Sequence, residues 1–141
     1  MKVSVFNSQK DLQIPALSVK KILKVLSLHF SIPSEEVSVY FVSERKISRL
    51  HEKFFQDPSP TDCISFPLDI NSHLGEIFVC PKTAISFALE NALDPLEETY
   101  LYIIHGFLHL LGYDDLQPSD KKKMRYQEKV CLKILKKHNL L

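Results

Sequence analysis

The pattern of apolar and polar side chains predicts four short β-strands in the first 80 residues. β-Branched and aromatic residues in short runs, with polar residues between them, favour an extended backbone that buries one face. The segments with this character are Lys2–Phe6, Glu36–Val42, Cys63–Phe66 and Gly75–Cys80. The stretch 56–61 contains two prolines and is predicted to be a loop that no helix could cross.

Apolar residues three or four positions apart predict five helices, because side chains at that spacing share one helical face. The helices are predicted from Pro15 to about Phe30, over Lys46–Phe55, from Pro81 to about Ala92, over Pro95–Leu111, and from Ser119 onward. Hydroxyl and carboxylate side chains that suit N-caps are Ser43, Asp94 and Ser119. The stripe of the second helix that is predicted to face inward consists of Ile47, Leu50 and Phe54.

The order of these elements, β-α-β-α-β-β-α-α-α, predicts an α+β fold in which helices pack on a small mixed four-stranded sheet. The chain has 141 residues, which suffice for one hydrophobic core and hardly for two. No repeat or low-complexity linker divides it. The sequence therefore predicts a single domain spanning residues 1–141.

The formal net charge of +1 conceals an asymmetry between the two ends of the chain. Residues 121–141 contain eight Lys or Arg and one acid, Glu128, so that this segment carries +7 and the remainder carries −6. A segment this basic indicates a polyanionic partner, although a solvated helix face has the same composition. The candidate RNA-binding residues in it are Lys121, Lys122, Lys123 and Arg125.

Cysteine content and hydropathy predict where the protein resides. The three cysteines are scattered and form no C-x-x-C pair, which is typical of a reducing compartment. The first residues lack the apolar core of a signal peptide, and no apolar run is long enough for a membrane-spanning helix. We therefore expect a cytoplasmic protein with no membrane partner.

The segment from His105 to Asp115 (HGFLHLLGYDD) carries the candidate chemistry. On a helix, His105 and His109 lie one above the other and can direct two imidazoles at one ion. Gly112 allows the chain to turn back, so that Asp115 can supply a third ligand. Three protein ligands leave one position open, as a catalytic zinc site requires. The alternative is that both histidines are ordinary residues of a buried helix.

This spacing matches the metzincin pattern H-E-x-x-H-x-x-G-x-x-H with two changes. Asp115 replaces the third histidine, and zinc accepts a carboxylate oxygen as a ligand. Gly106 replaces the glutamate that acts as general base in metalloproteases. The second change disfavours a peptidase.

Together with an upstream motif, the segment resembles the YbeY-type family of bacterial rRNA-maturation endoribonucleases. The family motif H-G-x-L-H-L-x-G-Y-D-H corresponds to residues 105–115, and P-T-D-x-L-S-F-P corresponds to Pro60–Pro67 (PTDCISFP). The family's G-D-I strand is echoed by Gly75-Glu76-Ile77. The order and spacing of these motifs cover nearly the whole chain.

The resemblance implies a small cytosolic α+β protein that holds one metal ion, usually zinc, with His105, His109 and Asp115 in the ligand positions. It implies cleavage of single-stranded RNA, a role at the 3′ end of small-subunit rRNA, and a role in ribosome quality control. The cleft beside the metal is expected to be lined by the segment Thr61–Phe66 and the strand Gly75–Cys80.

Two residues depart from the family pattern, and they leave an alternative function open. The family's third histidine is Asp115, and the arginine that the family usually carries five residues before the proline of P-T-D is Phe55 here. A ribosome-assembly factor that keeps the fold and the metal but has weak or lost nuclease activity is the alternative. A metallopeptidase-like hydrolase is a more distant one.

No residue is assigned as the catalytic base from the sequence. The carboxylates that could act as a base or orient the imidazoles and water are Asp62, Glu76 and Asp114. For Asp62 the alternative is a turn residue, and for Glu76 it is the exposed side of a strand.

Overall fold

Four strands form one mixed sheet, as the sequence predicts, in a computed structural model that describes residues 1–141. The strands are β1 (Lys2–Asn7), β2 (Glu36–Phe41), β3 (Cys63–Pro67) and β4 (His73–Val79). The order across the sheet is β1-β2-β4-β3, with β1, β2 and β4 parallel and β3 antiparallel to β4. Strand β3 therefore lies at one edge of the sheet, next to the candidate cleft.

Five helices complete the α+β fold. They are α1 (Ala16–His29), α2 (Glu44–Phe55), α3 (Pro81–Asn91), α4 (Pro95–Leu110) and α5 (Pro118–Lys137). Helix α4 is central, because it packs against β3, β4, α3 and α5 and buries side chains around almost its whole circumference. No helix combines the length and the hydrophobicity that crossing a membrane requires.

The predicted N-caps of α2 and α4 are confirmed by hydrogen bonds. The Ser43 hydroxyl accepts a hydrogen bond from the amide of Lys46, and the Asp94 carboxylate accepts one from the amide of Glu97. Each cap satisfies an amide that the helix itself leaves without a partner.

Two predictions about helix details are wrong. Ser119 does not cap α5, because the fixed φ of Pro118 suits the first helical position and Gln117 precedes it as N-cap. Phe54 does not face the core and remains 52% exposed. The small core beneath α2 is occupied by Ile47, so Phe54 instead lies edge-on against Phe66 of β3, with 4.8 Å between ring centroids.

Candidate metal centre

The last turns of α4 bring two imidazoles into contact through their ring nitrogens. The Nε2 atoms of His105 and His109 are 3.0 Å apart, because residues four positions apart lie on the same side of a helix. Both rings are partly buried, and their planes are nearly perpendicular. Two nitrogens at this distance either share one proton in an N–H···N hydrogen bond or face a common cation.

The turn after α4 adds a carboxylate to the pair. Gly112 has a φ of 101°, and the amides of Gly112 and Tyr113 donate to the carbonyls of His109 and Leu108, which closes the helix in a Schellman motif. The chain reverses there and places Asp115 Oδ2 at 3.4 Å from His105 Nε2 and 3.8 Å from His109 Nε2.

These three side chains fit a divalent metal ion. Ligands at about 2.0–2.1 Å from a tetrahedral zinc ion are separated from one another by about 3.3 Å. The observed separations of 3.0, 3.4 and 3.8 Å lie around that value. Two imidazole nitrogens and one carboxylate oxygen are also a donor set that zinc accepts.

Glu128 of α5 completes the surroundings of His105. Its Oε1 atom accepts a hydrogen bond of 2.8 Å from His105 Nδ1, which leaves Nε2 to face His109 and Asp115. Burial lowers the pKa of His105, but the hydrogen bond and charge of Glu128, with the charges of Asp62 and Asp115, raise it above the ordinary value. A carboxylate that fixes a ligand's tautomer in this way is common beside protein-bound metals.

Sequence reasoning missed Glu128, although one signal was available. It is the only acid in residues 121–141, a segment that contains eight Lys or Arg. A solvated basic face gives no reason for a single acid, whereas a contact between α5 and α4 does. That exception indicates a specific partner, which the structure identifies as His105.

The triad opens onto a cleft of about 440 Å³. Its walls are the end of α2, the strand β3 with the loop before it, and the triad itself. Of the expected lining Thr61–Phe66, all residues except Phe66 line the cleft. The expected lining by the strand Gly75–Cys80 is wrong, because β3 lies between β4 and that edge of the sheet. No Lys or Arg lines the cleft, and Phe55 forms part of the wall.

Of the three candidate carboxylates, the structure places Asp62 alone in this cleft. Its Oδ1 accepts hydrogen bonds from the Cys63 amide at 2.7 Å and the Thr61 hydroxyl at 3.2 Å. Glu76 lies on β4 outside the cleft and accepts a hydrogen bond from the Tyr40 hydroxyl. Asp114 lines a separate recess with Asp120 and Lys123.

Gly106 occupies the place where α4 approaches the sheet most closely. A Cβ there would lie 2.6 Å from Ile77 Cγ2 and 3.0 Å from Ser65 Oγ. The Ser65 hydroxyl donates a hydrogen bond to the Gly106 carbonyl, which ties α4 to β3. The glutamate of the metzincin pattern has no room at this position, because its side chain would be driven into β3 and β4.

The candidate RNA-binding residues lie on two sides of α5. Lys121, Lys122 and Arg125 line one surface depression with Pro118, Tyr126 and Lys129. Lys123 is on a different side, next to Asp114 and Asp120. Lys121 and Arg125 additionally line a recess that contains His105 and Asp115.

Comparisons with known proteins identify the family and the fold of the chain. The family model described as Endoribonuclease YbeY matches residues 4–136. A protein named Endoribonuclease YbeY from Protochlamydia amoebophila (strain UWE25) is 44% identical over 143 residues, covering 98% of this chain and 95% of the relative. One of the same name from Chlamydia felis (strain Fe/C-56) is 40% identical over 151 residues, covering 100% and 96%.

A solved structure shows the same fold. The solution structure of TM1509 from Thermotoga maritima superposes with a TM-score of 0.68 at 27% identity, covering 98% of this chain and 92% of that one. The family model and the full-length relatives together establish the family. The chain belongs to the YbeY family of endoribonucleases, which confirms the resemblance drawn from its motifs.

Proposed function

We propose that this protein is a metal-dependent endoribonuclease that cleaves single-stranded RNA in the cytoplasm. Its substrate would be the 3′ end of small-subunit rRNA, cleaved during ribosome maturation and quality control. The observation that supports the proposal is the triangle of His105, His109 and Asp115, which opens onto a cleft in a member of an endoribonuclease family.

The ion we propose for the centre is Zn²⁺, held by His105 Nε2, His109 Nε2 and Asp115 Oδ2. Nitrogen and oxygen donors in this number suit zinc and leave one coordination position open towards the cleft. A bound divalent ion supplies Lewis-acid polarisation of a phosphoryl oxygen and lowers the pKa of water.

The remaining residues of the cleft prepare the site for this chemistry. Glu128 holds the His105 ring with Nε2 directed inward, and Ser65 holds α4 against β3. Asp62 is the one carboxylate of the cleft besides Asp115, so we assign it the role of proton acceptor. The Thr61 hydroxyl donates to Asp62 Oδ1, which fixes that carboxylate at the cleft wall.

One observation favours the alternative of a metal-binding ribosome-assembly factor with weak or lost nuclease activity. The cleft is lined by no Lys or Arg, and the apolar ring of Phe55 stands where the family usually carries an arginine. A phosphate in the cleft would therefore meet carboxylates without a neighbouring cation from the cleft wall.

The test is cleavage of RNA by zinc-loaded protein. The substrate is the 3′ end of small-subunit rRNA as a single strand, with the same sequence annealed to its complement for comparison. We expect the single strand to be cut, the duplex to remain intact, and both the activity and one bound zinc per chain to be lost in His109→Ala. Binding to the small ribosomal subunit without cleavage would establish the assembly factor instead.

A further inference from the structure

Helix α5 presents four cations along one side. Lys121, Lys122, Arg125 and Lys129 are exposed and line a single depression, and we call these four residues the basic ridge. Their positions along the helix place the outer two about 12 Å apart. The opposite side of α5 carries the buried residues Met124, Cys131 and Leu135.

The charge of the basic ridge is not neutralised within the protein. Every ion pair within 4.0 Å in this structure involves a histidine, and no Lys or Arg takes part in one. Glu128, the one acid of α5 beyond its first turn, is directed inward to His105. Like charges four residues apart destabilise a helix, so this arrangement costs stability unless an anion covers it.

The ridge is continuous with the metal centre. Lys121 and Arg125 line a recess of about 230 Å³ that also contains His105 and Asp115. The cleft on the other side of the triad contains carboxylates and no cation. An RNA strand in that cleft would therefore find its phosphate contacts beyond the triad, where Lys121 and Arg125 begin the ridge.

We propose that the basic ridge binds the phosphates of the single-stranded RNA segment that continues from the cleft past the metal centre. Lys121 and Arg125 contact the phosphates next to the centre, and Lys122 and Lys129 contact those that follow. Tyr126, which is 64% exposed in the same depression, stacks on a base. The proposal rests on the endoribonuclease function and specifies which surface holds its substrate.

The apolar side of α5 argues against a membrane as the occupant. A helix that lies in a membrane interface inserts its apolar face between the lipids. In α5 the corresponding side chains, Met124, Cys131 and Leu135, are already packed into the core. The exposed side offers cations and one aromatic ring, which match a sugar-phosphate chain with accessible bases.

The test compares two pairs of substitutions that remove the same charge. Lys121→Gln with Arg125→Gln alters the ridge, and Lys21→Gln with Lys24→Gln alters exposed lysines of α1. Binding of a single-stranded RNA oligonucleotide with nuclease-resistant 2′-O-methyl riboses to zinc-loaded, full-length protein is measured by fluorescence anisotropy between about 50 and 200 mM salt. Electrophoresis verifies that the RNA is intact after each measurement.

We expect the ridge pair to weaken binding at least about tenfold and to reduce the slope of log affinity against log salt by about 1.4, since each lost phosphate contact accounts for about 0.7. The α1 pair leaves the slope unchanged. Tyr126→Ala weakens binding about tenfold at an unchanged slope, because stacking releases no counterions.

The outcomes separate this proposal from the nuclease function. Equal slopes for the two pairs, with cleavage by the wild type, would overturn the ridge and leave the nuclease intact. Binding through the ridge without cleavage would support the ridge and contradict the nuclease. Binding to vesicles of phosphatidylcholine and phosphatidylserine that the ridge pair abolishes, with RNA affinity unaffected, would also overturn the proposal.

Discussion

Helices α4 and α5 carry opposite kinds of functional surface, although only residues 111–117 separate them along the chain. From Tyr102 to its end, helix α4 buries every residue except the half-buried His105 and His109, so these ligands are held rigidly. Helix α5 buries one side and exposes a row of cations. The candidate metal centre thus lies on a helix of the core, at the wall of a cleft, and the candidate binding surface lies on the exposed face of the next helix. The two meet at Glu128.

Removal of a ligand should separate the two regions most sharply. In His109→Ala, we expect the ion to be lost and cleavage to fall by at least about a hundredfold, because the Lewis acid is absent. Binding of RNA to the basic ridge should weaken far less than cleavage, by a few-fold, since each phosphate contact on α5 remains although α5 is anchored less firmly without the ion. Elemental analysis and cleavage rates measure the first effect, and anisotropy measures the second. His138→Ala is the control, and one ion retained in His109→Ala would contradict the site.

Glu128→Gln tests the contact at which the two regions meet. A glutamine removes the charge that orients His105, and outer-shell partners of this kind contribute about 10–100-fold to metal affinity. We expect a weakening in that range, measured by competition with a zinc-binding dye, and a smaller increase in the melting temperature on adding zinc. Glu90→Gln, on an exposed side of α3, should leave both unchanged. Equal affinities of the two variants would show that Glu128 does not support the ligand.

Gly106→Ala tests how tightly α4 is fixed to the sheet. The added Cβ would lie 2.6 Å from Ile77, which is fully buried, so either the helix or the strand must shift. Overpacking of this kind costs about 1–3 kcal/mol of unfolding free energy. Urea denaturation measures the loss, and Lys24→Ala compared with Lys24→Gly, at an exposed position of α1, is the reference for helix propensity. An unchanged midpoint would mean that α4 is not held as closely as the structure indicates.

Phe55→Arg should produce the smallest effect, and it should increase binding. The side chain is 57% exposed and lines the cleft, so a guanidinium there can reach a phosphate that the cleft now meets without a cation. We expect RNA affinity to rise several-fold and the salt slope to increase by about 0.7, as for one added contact. Phe54→Arg adds the same charge outside the cleft and should leave the slope unchanged. The same increase in affinity and slope from both variants would mean that the added charge, and not its position in the cleft, causes the tighter binding.

Local sequence patterns predict most of the fold. The four strands, the five helices and the caps at Ser43 and Asp94 follow from side chains that act on their own or neighbouring backbone. The convergence of His105, His109 and Asp115 is predictable for the same reason, because one helical turn and one glycine set their spacing. Such interactions span fewer than a dozen residues.

Features that depend on tertiary contact are not predictable in this way. Glu128 meets His105 only because α5 packs beside α4, 23 residues along the chain. Phe54 has the spacing of a core residue, yet the space beneath α2 is filled by Ile47 and its neighbours. The recess that joins Lys121 to Asp115 likewise results from how the two helices pack, and no sequence period encodes it.

The bond between Glu128 and His105 places α5 in the same thermodynamic cycle as the ion. Coupling free energies are reciprocal. If the Glu128 carboxylate increases the affinity of the centre for an ion, the bound ion stabilises the packing of α5 against α4 by the same free energy. The last helix is then anchored more firmly when the centre is filled than when it is empty. Filling the centre would in this way also set the position of the surface that we propose holds the RNA.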